Sequence, residues 1–467
     1  MRLLILLILG AFLSFLPNLD TYEFRNEESL RTAIAYEMFK NSSYAQPYLL
    51  GEPYYRKPPL FNWLIVLYSR FLGWGEITGR AVSLTFLVLC SFLLVTFTQY
   101  LFRDLKLSLL SALTFITLGN VLFFYGYLAE IDITFTFFVF SLMVCAYMWS
   151  QKGSIFWVLA TGFLTGLGAL TKGLPSYAFY GLTLLALGLY KKDFGLVFSK
   201  KAMLSHLVSL LLPTFWLLNT HDPALYLKTL FYESFSRVTD DNFSRWHHMI
   251  IFPLLNFKDT LSNSLLFLIA IYFLLKYNKL EFPHPLRKLF LIFFVNYLPY
   301  LISNSAGRYI LPLYPLLVIM FSYYISRALE NTHYKKIFYT TVGLTLIFRV
   351  LYGFFFFPYY SERESSRKVI ATKIMRVIDL RKPIQCECPQ ELSVCLYIGL
   401  AKGEPLKRNI PDAVYSISCT EKTKGETLLR FNINRSYYIN FNINRSYYIN
   451  LVKSPLTYRR WSSSQHE

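Results

Sequence analysis

Glu130-Ile131-Asp132-Ile133-Thr134-Phe135-Thr136-Phe137-Phe138-Val139-Phe140-Ser141-Leu142-Met143-Val144-Cys145-Ala146-Tyr147-Met148-Trp149-Ser150-Gln151-Lys152 is apolar and uncharged from Ile133 to Trp149, with acids at one end and a lysine at the other. A helix crossing a bilayer needs about 20 apolar residues, with a lower range near 17. The stretch therefore predicts a membrane-spanning helix, and its ends predict where charge is held: carboxylates at the level of one interface and a cation at the other.

Working outward, about eleven runs of this kind recur along the first 357 residues. They cover approximately Leu3 to Leu16, Ala81 to Phe97, Leu107 to Tyr127, Ile133 to Trp149, Ile155 to Leu170, Leu174 to Tyr190, Met203 to Leu218, Leu261 to Leu275, Leu289 to Ile302, Tyr309 to Ile325 and Ile337 to Phe357. Several fall short of a full span, so flanking aromatic residues and tilt must complete them. Composition agrees: 54% of residues are hydrophobic, 18% aromatic and only 16% charged, against roughly 25% charged in soluble proteins. The fold class is mainly α, a polytopic membrane protein. The formal net charge of +19 does not point to nucleic acid, because Lys and Arg are scattered between apolar runs and form no basic module.

The first run, behind Met1 and Arg2, has the length of a signal-peptide core. No small-x-small cleavage site follows it, so it reads as a retained helix. With the amino terminus in the cytoplasm, the short inner loops collect Arg103, Lys106, Lys152, Lys191, Lys192, Lys200, Lys201, Lys276, Lys279, Arg287, Lys288, Arg327, Lys335 and Lys336, and the short outer loops only Lys172 and Arg308. The positive-inside rule fixes this orientation, and an odd number of crossings puts the carboxyl terminus outside, which in a bacterial inner membrane is the periplasm.

The same orientation places the long polar loops, Pro17 to Arg80 and Thr220 to Lys258, on the outer face; the first carries amphipathic stretches of its own. Two domains follow: a transmembrane domain over 1–357 and a small outer α/β domain over 358–467, in which short alternating apolar runs such as Leu392 to Leu400 are interleaved with polar residues. Within it, Phe431 to Asn440 recurs identically as Phe441 to Asn450, too short for a solenoid unit and best read as a local duplication or a hairpin of two similar strands. Cys386, Cys388, Cys395 and Cys419 lie in this tail, and Cys90 and Cys145 inside helices. An oxidising outer compartment permits disulfides among the four. A zinc site is the weaker alternative, since no Cys-x-x-Cys pair is present.

Candidate chemistry gathers on the outer face. Glu27 and Glu28 follow Asn26 at the start of a helical pattern running to Phe39. Taken structurally, Asn26 is an N-cap and the acids complement the helix dipole. Arg56 and Lys57 precede Pro58-Pro59 and an aromatic run, as interfacial anchors or as a clamp for a lipid phosphate. Glu130 and Asp132 break the apolar pattern, and ionisable groups near membrane depth default to function. Lys172 in Thr171-Lys172-Gly173, and Arg308 in Gly307-Arg308-Tyr309-Ile310-Leu311-Pro312-Leu313-Tyr314-Pro315, add one cation each. Snorkelling explains any one of these cations alone. Their conjunction on one face suits transfer from a lipid phosphate, cations stabilising the departing phosphate and a carboxylate taking the proton of an incoming hydroxyl.

Four ordered signals give the first 357 residues a resemblance to a known family. They are Glu27-Glu28 followed by Ile34-Ala35-Tyr36-Glu37-Met38-Phe39, then Lys57-Pro58-Pro59-Leu60-Phe61-Asn62-Trp63, then Thr171-Lys172-Gly173, then Arg308 to Pro315. The chain resembles the GT-C membrane glycosyltransferases of the aminoarabinose (lipid A) transferase and protein O-mannosyltransferase type. The resemblance implies a polyprenyl (undecaprenyl) phosphate carrying one sugar as donor, and lipid A or a protein as acceptor. It implies that an acidic pair in the first outer loop carries the catalytic acid, here Glu27 and Glu28, with Glu27 standing in place of the usual Asp and reaching further. It also implies Lys57 on the carrier phosphate, Asp132 as second acid, and Arg237 of the large outer loop as another phosphate partner. No cofactor is required; some relatives hold a divalent metal near these acids, for which His247, next to His248, and Glu130 are the candidate ligands.

Two rivals make different expectations. A transporter or flippase of a lipid-linked substrate would show paired repeats and polar sites near the midplane, whereas no second half resembles the first and the acids cluster at one face. A noncatalytic assembly protein using its tail as a binding module would not need Glu27 or Lys57.

Overall fold

The computed structural model describes residues 1–236, 244–419, 426–435 and 445–453; Arg237 lies outside them. The chain is mainly helical and divides into two compact units.

The first unit comprises Met1–Thr21, Tyr44–Pro47 and Tyr54–Pro358. Its helices in chain order are α1 (Arg2–Leu13), then, past α2 of the second unit (Asn26–Asn41), α3 (Leu60–Leu72), α4 (Glu76–Phe102), α5 (Leu105–Ile116), α6 (Ile131–Lys152), α7 (Ile155–Lys172) and α8 (Pro175–Lys191). There follow α9 (Gly195–Phe198), α10 (Lys200–Leu218), α11 (Pro223–Phe235), α12 (Arg245–Asp259), α13 (Leu261–Lys276), α14 (His284–Ile302), α15 (Tyr314–Ala328) and α16 (Thr332–Leu351). A 3₁₀ segment, Gly307–Leu313, leads into α15.

The run that opened the sequence reading is α6, buried from Ile131 through Thr136 and from Phe138 to Ser150 among α4, α7, α8 and the 3₁₀ segment. Other helices show the opposite face of the same physics. Along α10, Met203, Leu207, Leu211, Phe215 and Leu218 form an exposed stripe at helical spacing. An apolar surface of that length is solvated by lipid tails and not by water. Among the described residues, seven helices are long and apolar enough to cross a membrane, and α12 with α13 would make one more span but is bent by 97° at its break. The chain is a multi-span membrane protein.

The count differs from the runs read in sequence because several runs are interrupted. Leu107 to Tyr127 splits into α5 and a π turn, Val121–Tyr125; Ile337 to Phe357 continues past α16 through a second π turn, Tyr352–Phe356; and α1 and α5 are short apolar helices of 12 residues. Hydrophobicity is continuous across such breaks while the helix is not.

The second unit comprises Tyr22–Ser43, Tyr48–Pro53 and Tyr359–Glu467. Helix α17 (Phe357–Glu362) leads into it, followed by α18 (Arg367–Met375) and α19 (Leu392–Lys402). Its strands are β1 (Tyr48–Leu49), β2 (Glu52–Pro53), β3 (Ile384–Glu387), β4 (Tyr415–Ser418), β5 (Glu426–Arg435) and β6 (Arg445–Lys453). The larger sheet has the order β3-β4-β6-β5, with β3 and β4 parallel and the other pairs antiparallel. β3, α19 and β4 form the helical crossover a parallel pair requires. The described parts of the two identical decapeptides pair in β5 and β6, Phe431 opposite Ile449 and Arg435 opposite Arg445.

Leu392 to Leu400, one of the short apolar runs of the tail, lies in α19. Nearly every side of it is buried, so polar residues do not mark out a helical period. Residues 22–43 and 48–53, which a linear reading keeps with the transmembrane segment, share the tail's core: Phe24, Ala33 and Leu50 pack with Ile370, Ile374, Val394, Ile398 and Ile417. Polar stitches reinforce this. Glu23 accepts from Ser366 Oγ at 2.7 Å and from the Arg367 N–H at 2.5 Å, and Arg367 forks onto the buried Glu391 at 2.7 and 3.1 Å. Cys386–Cys395 and Cys388–Cys419 are disulfides, and Cys90 and Cys145 are free and buried.

Glu37 shows how tightly α2 is built into this unit. The Leu50-Gly51 turn between β1 and β2 has positive φ at both residues, 56° and 81°, as a two-residue hairpin of type I′ demands. Glu37 accepts both turn N–H groups, Leu50 at 2.5 Å and Gly51 at 3.1 Å. Burial pushes its carboxyl up from 4.5 to about 7, against the opposing pull of these N–H groups and of Lys407. The folded unit therefore holds more protons than the unfolded chain between those two values, so stability falls as pH rises through that window and levels off above it. The span corresponds to about 3 kcal/mol at most. Glu37→Gln should flatten the pH dependence of thermal unfolding between pH 4.5 and 7; an unchanged slope would contradict the buried-carboxyl assignment.

Candidate functional site

Antiparallel packing of α6 on α7, joined at the left-handed Gly153 (φ 62°), sets the end of α7 level with the start of α6. Asp132 and Lys172, 40 residues apart in sequence, consequently meet: Lys172 Nζ donates to Asp132 Oδ1 at 2.6 Å, with side chains 10% and 5% exposed for Lys172 and Asp132 respectively. The 3₁₀ segment packs on the same end of α6, and Arg308 lies 3.4 Å from Glu130 Oε2. Tyr309 joins the two pairs: Lys172 Nζ lies 5.0 Å from its ring centroid and the Arg308 guanidinium 5.7 Å. Glu130, Asp132, Lys172 and Arg308 thus come together from three distant segments, with each charge answered by its opposite.

A second cationic group adjoins this one. Gly173 closes α7 at φ +83°, and a side chain there would lie 3.4 Å from Leu230 and 3.9 Å from Pro58. The loop carrying Arg56 and Lys57 therefore packs on the turn that follows Lys172. Leu170, Trp216, Tyr226 and Leu230 form its apolar floor, with Tyr55, Leu60 and Trp63 against them. Tyr226 Oη donates to the Lys57 carbonyl at 2.7 Å, and Trp63 Nε1 to the Tyr44 carbonyl at 2.9 Å. Backbone and aromatic contacts hold the loop, while the ion pairs of its cations with Glu233 are long, 3.9 Å from both Arg56 and Lys57.

Glu27 and Glu28 belong to the second unit. The helix cap there is one residue earlier than the sequence suggests: Arg25 is the N-cap and Asn26 the first helical residue. Glu28 is buried and accepts the Arg25 N–H at 2.9 Å, half of a capping box. Glu27 makes an i,i+4 pair with the buried Arg31 at 3.0 Å and keeps its side chain 35% exposed. Of the two acids, Glu27 is the more exposed.

Among the described residues, the candidate metal ligands are not part of a three-ligand group. His247 is exposed on α12, Glu130 is engaged by Arg308, and among the described residues no three His, Cys, Asp or Glu side chains are grouped to hold a metal ion. His248 instead meets the Tyr300 carbonyl at 3.1 Å and stacks on Phe252.

Three residues escape a reading by motif. Glu233 is a single acid in an aromatic helix, and Tyr309 looks like an interfacial belt residue. Asp259 ends α12 far from any charged motif, yet a Cβ at Gly307 would lie 2.5 Å from its Oδ2, so the glycine makes room for a further carboxylate next to Arg308. Such pairings depend on which helix ends are level, which local sequence does not state.

Comparison with known proteins agrees with this architecture. Residues 21–228 match the family described as Dolichyl-phosphate-mannose-protein mannosyltransferase. An undecaprenyl phosphate-alpha-4-amino-4-deoxy-L-arabinose arabinosyl transferase of Pseudomonas fluorescens is 28% identical over 195 residues, 40% of this chain and 35% of that protein. One from Pseudomonas aeruginosa is 30% identical over 152 residues, 32% and 27% respectively. The match thus spans about a third of the length of these curated relatives. In fold, the crystal structure of ArnT from Cupriavidus metallidurans bound to undecaprenyl phosphate superposes with a TM-score of 0.68 at 14% identity, covering 96% of this chain and 97% of that one. The chain shares the fold of that ArnT structure. It resembles the aminoarabinose transferases and protein O-mannosyltransferases, as its ordered motifs implied.

Breaking one half of the buried pair should cost more than removing it whole. Asp132→Ala leaves the Lys172 ammonium without its carboxylate and should lose about 3 kcal/mol, whereas Asp132→Leu with Lys172→Met should stay near wild-type stability. Thermal unfolding in detergent distinguishes them; a double variant as unstable as the single one would contradict the picture of two buried charges that chiefly answer each other.

Proposed function

We propose that this chain is a glycosyltransferase that moves a sugar from a polyprenyl (undecaprenyl) phosphate carrier to a lipid A or protein acceptor at the outer face of a bacterial inner membrane. The observation that carries the reading is the gathering of Lys172, Arg308, Asp132 and Glu130 at one end of α6, beside the packed loop of Arg56 and Lys57. Cations in that number beside membrane-embedded helices suit a lipid phosphate, and the acids paired with them keep them in position.

Lys57 and Arg56 hold the carrier phosphate in this scheme, with Arg237 added from the resemblance. Lys172 and Arg308 stabilise the charge that grows on the phosphate as it leaves, and Asp132 and Glu130 hold those two cations in place. Glu27 takes the proton of the acceptor hydroxyl. The hydroxyl oxygen bonds to the anomeric carbon while the bond to the phosphate oxygen breaks, and the phosphate departs with the electron pair. A single displacement inverts the anomeric centre.

The topology that serves this reaction has about eleven spans, counting short and broken helices, with the amino terminus cytoplasmic and the tail periplasmic. The cation bias of the loops supports it, as do the paired cysteines of the tail, which suit an oxidising compartment.

The test is transfer by the purified chain in liposomes supplied with an undecaprenyl-phosphate sugar and lipid A. Glu27→Gln should lower kcat by about a hundredfold or more, and Lys57→Ala should raise the apparent KM for the donor more than that for the acceptor. Full activity in both variants would refute the assignment.

A further inference from the structure

Glu233 takes no part in the reaction just described, yet it sits where the donor phosphate would bind. It lies 3.9 Å from the Arg56 guanidinium and 3.9 Å from the Lys57 ammonium, beyond the range of a hydrogen bond to either. The side chains are 72% exposed for Arg56, 23% for Lys57 and 29% for Glu233, so one carboxylate loosely neutralises two cations at the edge of solvent. The backbone around it is firm. Tyr226, two turns earlier on α11, fixes the Lys57 carbonyl at 2.7 Å, and its ring is wedged against Trp216 and Tyr55 at 4.8 and 5.2 Å between centroids. One helix thus presents a tight backbone anchor and a loose counter-ion to the same loop.

We propose that Glu233 is a displaceable counter-ion that sets the specificity of this loop for phosphate esters over weaker anions. The proposal rests on the reading of Arg56 and Lys57 as the phosphate clamp. These three side chains together carry a net charge of +1, two cations against one carboxylate. A carboxylate ligand gains little by replacing another carboxylate. A phosphate monoester offers more terminal oxygens and more charge than a carboxylate, and a diester a pair of charged oxygens set on a tetrahedral centre, which the Arg56 fork and the Lys57 ammonium engage at shorter range. Glu233 then swings to solvent, an inexpensive move for a part-exposed side chain whose ion pairs are long. Binding is weakened by this competition, and in return the empty loop does not retain acidic lipids or carboxylates.

The test is binding of undecaprenyl phosphate to the purified full chain in nanodiscs of zwitterionic lipid. Glu233→Gln removes the competing charge and should tighten binding about fivefold, the size of one unit charge at this range in a water-exposed site. It should also let a fatty-acid carboxylate compete where it does not in the wild type. Glu233→Asp keeps the charge and should restore wild-type affinity and selectivity, which a merely structural role for the side chain would not do. In turnover, Glu233→Gln should lower the donor KM without raising kcat. Unchanged or weaker binding by Glu233→Gln, with wild-type binding intact, overturns the counter-ion role alone. Absence of saturable binding by the wild type overturns the phosphate-clamp reading on which it stands.

Discussion

A charged side chain inside a bilayer has few stable resting places: the interface, a partner, or water in a cavity. Helix α6 exhausts the first option, because it is buried on almost every side by its neighbours and has no lipid-facing flank along which a side chain could snorkel. Its acidic end must find cations within the protein. The 2.6 Å contact of Asp132 with Lys172 satisfies that need, and with Arg308 on Glu130 it fixes the relative heights of α6, α7 and the segment entering α15.

The same constraint explains why the chemistry is concentrated. Once these helix ends are brought level, the charges they carry lie together, and the loop of Arg56 and Lys57 joins them on an aromatic floor. Cations that have buried partners are stiff, whereas those shared loosely with Glu233 are adaptable. The proposed reaction uses both kinds: fixed charge to stabilise the leaving group, and movable charge to admit the phosphate.

Much of this was legible in the residues. Lone acids and cations at the ends of apolar runs are readable because the membrane penalises them, and so Glu130, Asp132, Lys172 and Arg308 stand out in the sequence. Which acid answers which cation was not legible, since it depends on helix lengths and tilts. Apolar composition continues through the π turns at Val121–Tyr125 and Tyr352–Phe356, so the apolar runs extend beyond the ends of the helices. Segment 22–43 reads as a loop of the transmembrane region, but its Phe24 and Ala33 complete a core whose other half lies more than 300 residues away. Glu27 and Glu28 look equivalent in sequence; the backbone cap at Arg25 separates them, leaving Glu28 buried and Glu27 part-exposed.

The reading turns on where a lipid phosphate sits. A cryo-electron microscopy map of the chain saturated with undecaprenyl phosphate in nanodiscs measures this directly. Phosphate density within hydrogen-bonding reach of Lys57 and Arg56, on the loop that packs against Gly173, is the expected result. Density lodged elsewhere on the molecule, with that loop unchanged and Glu233 still between its two cations, would contradict it.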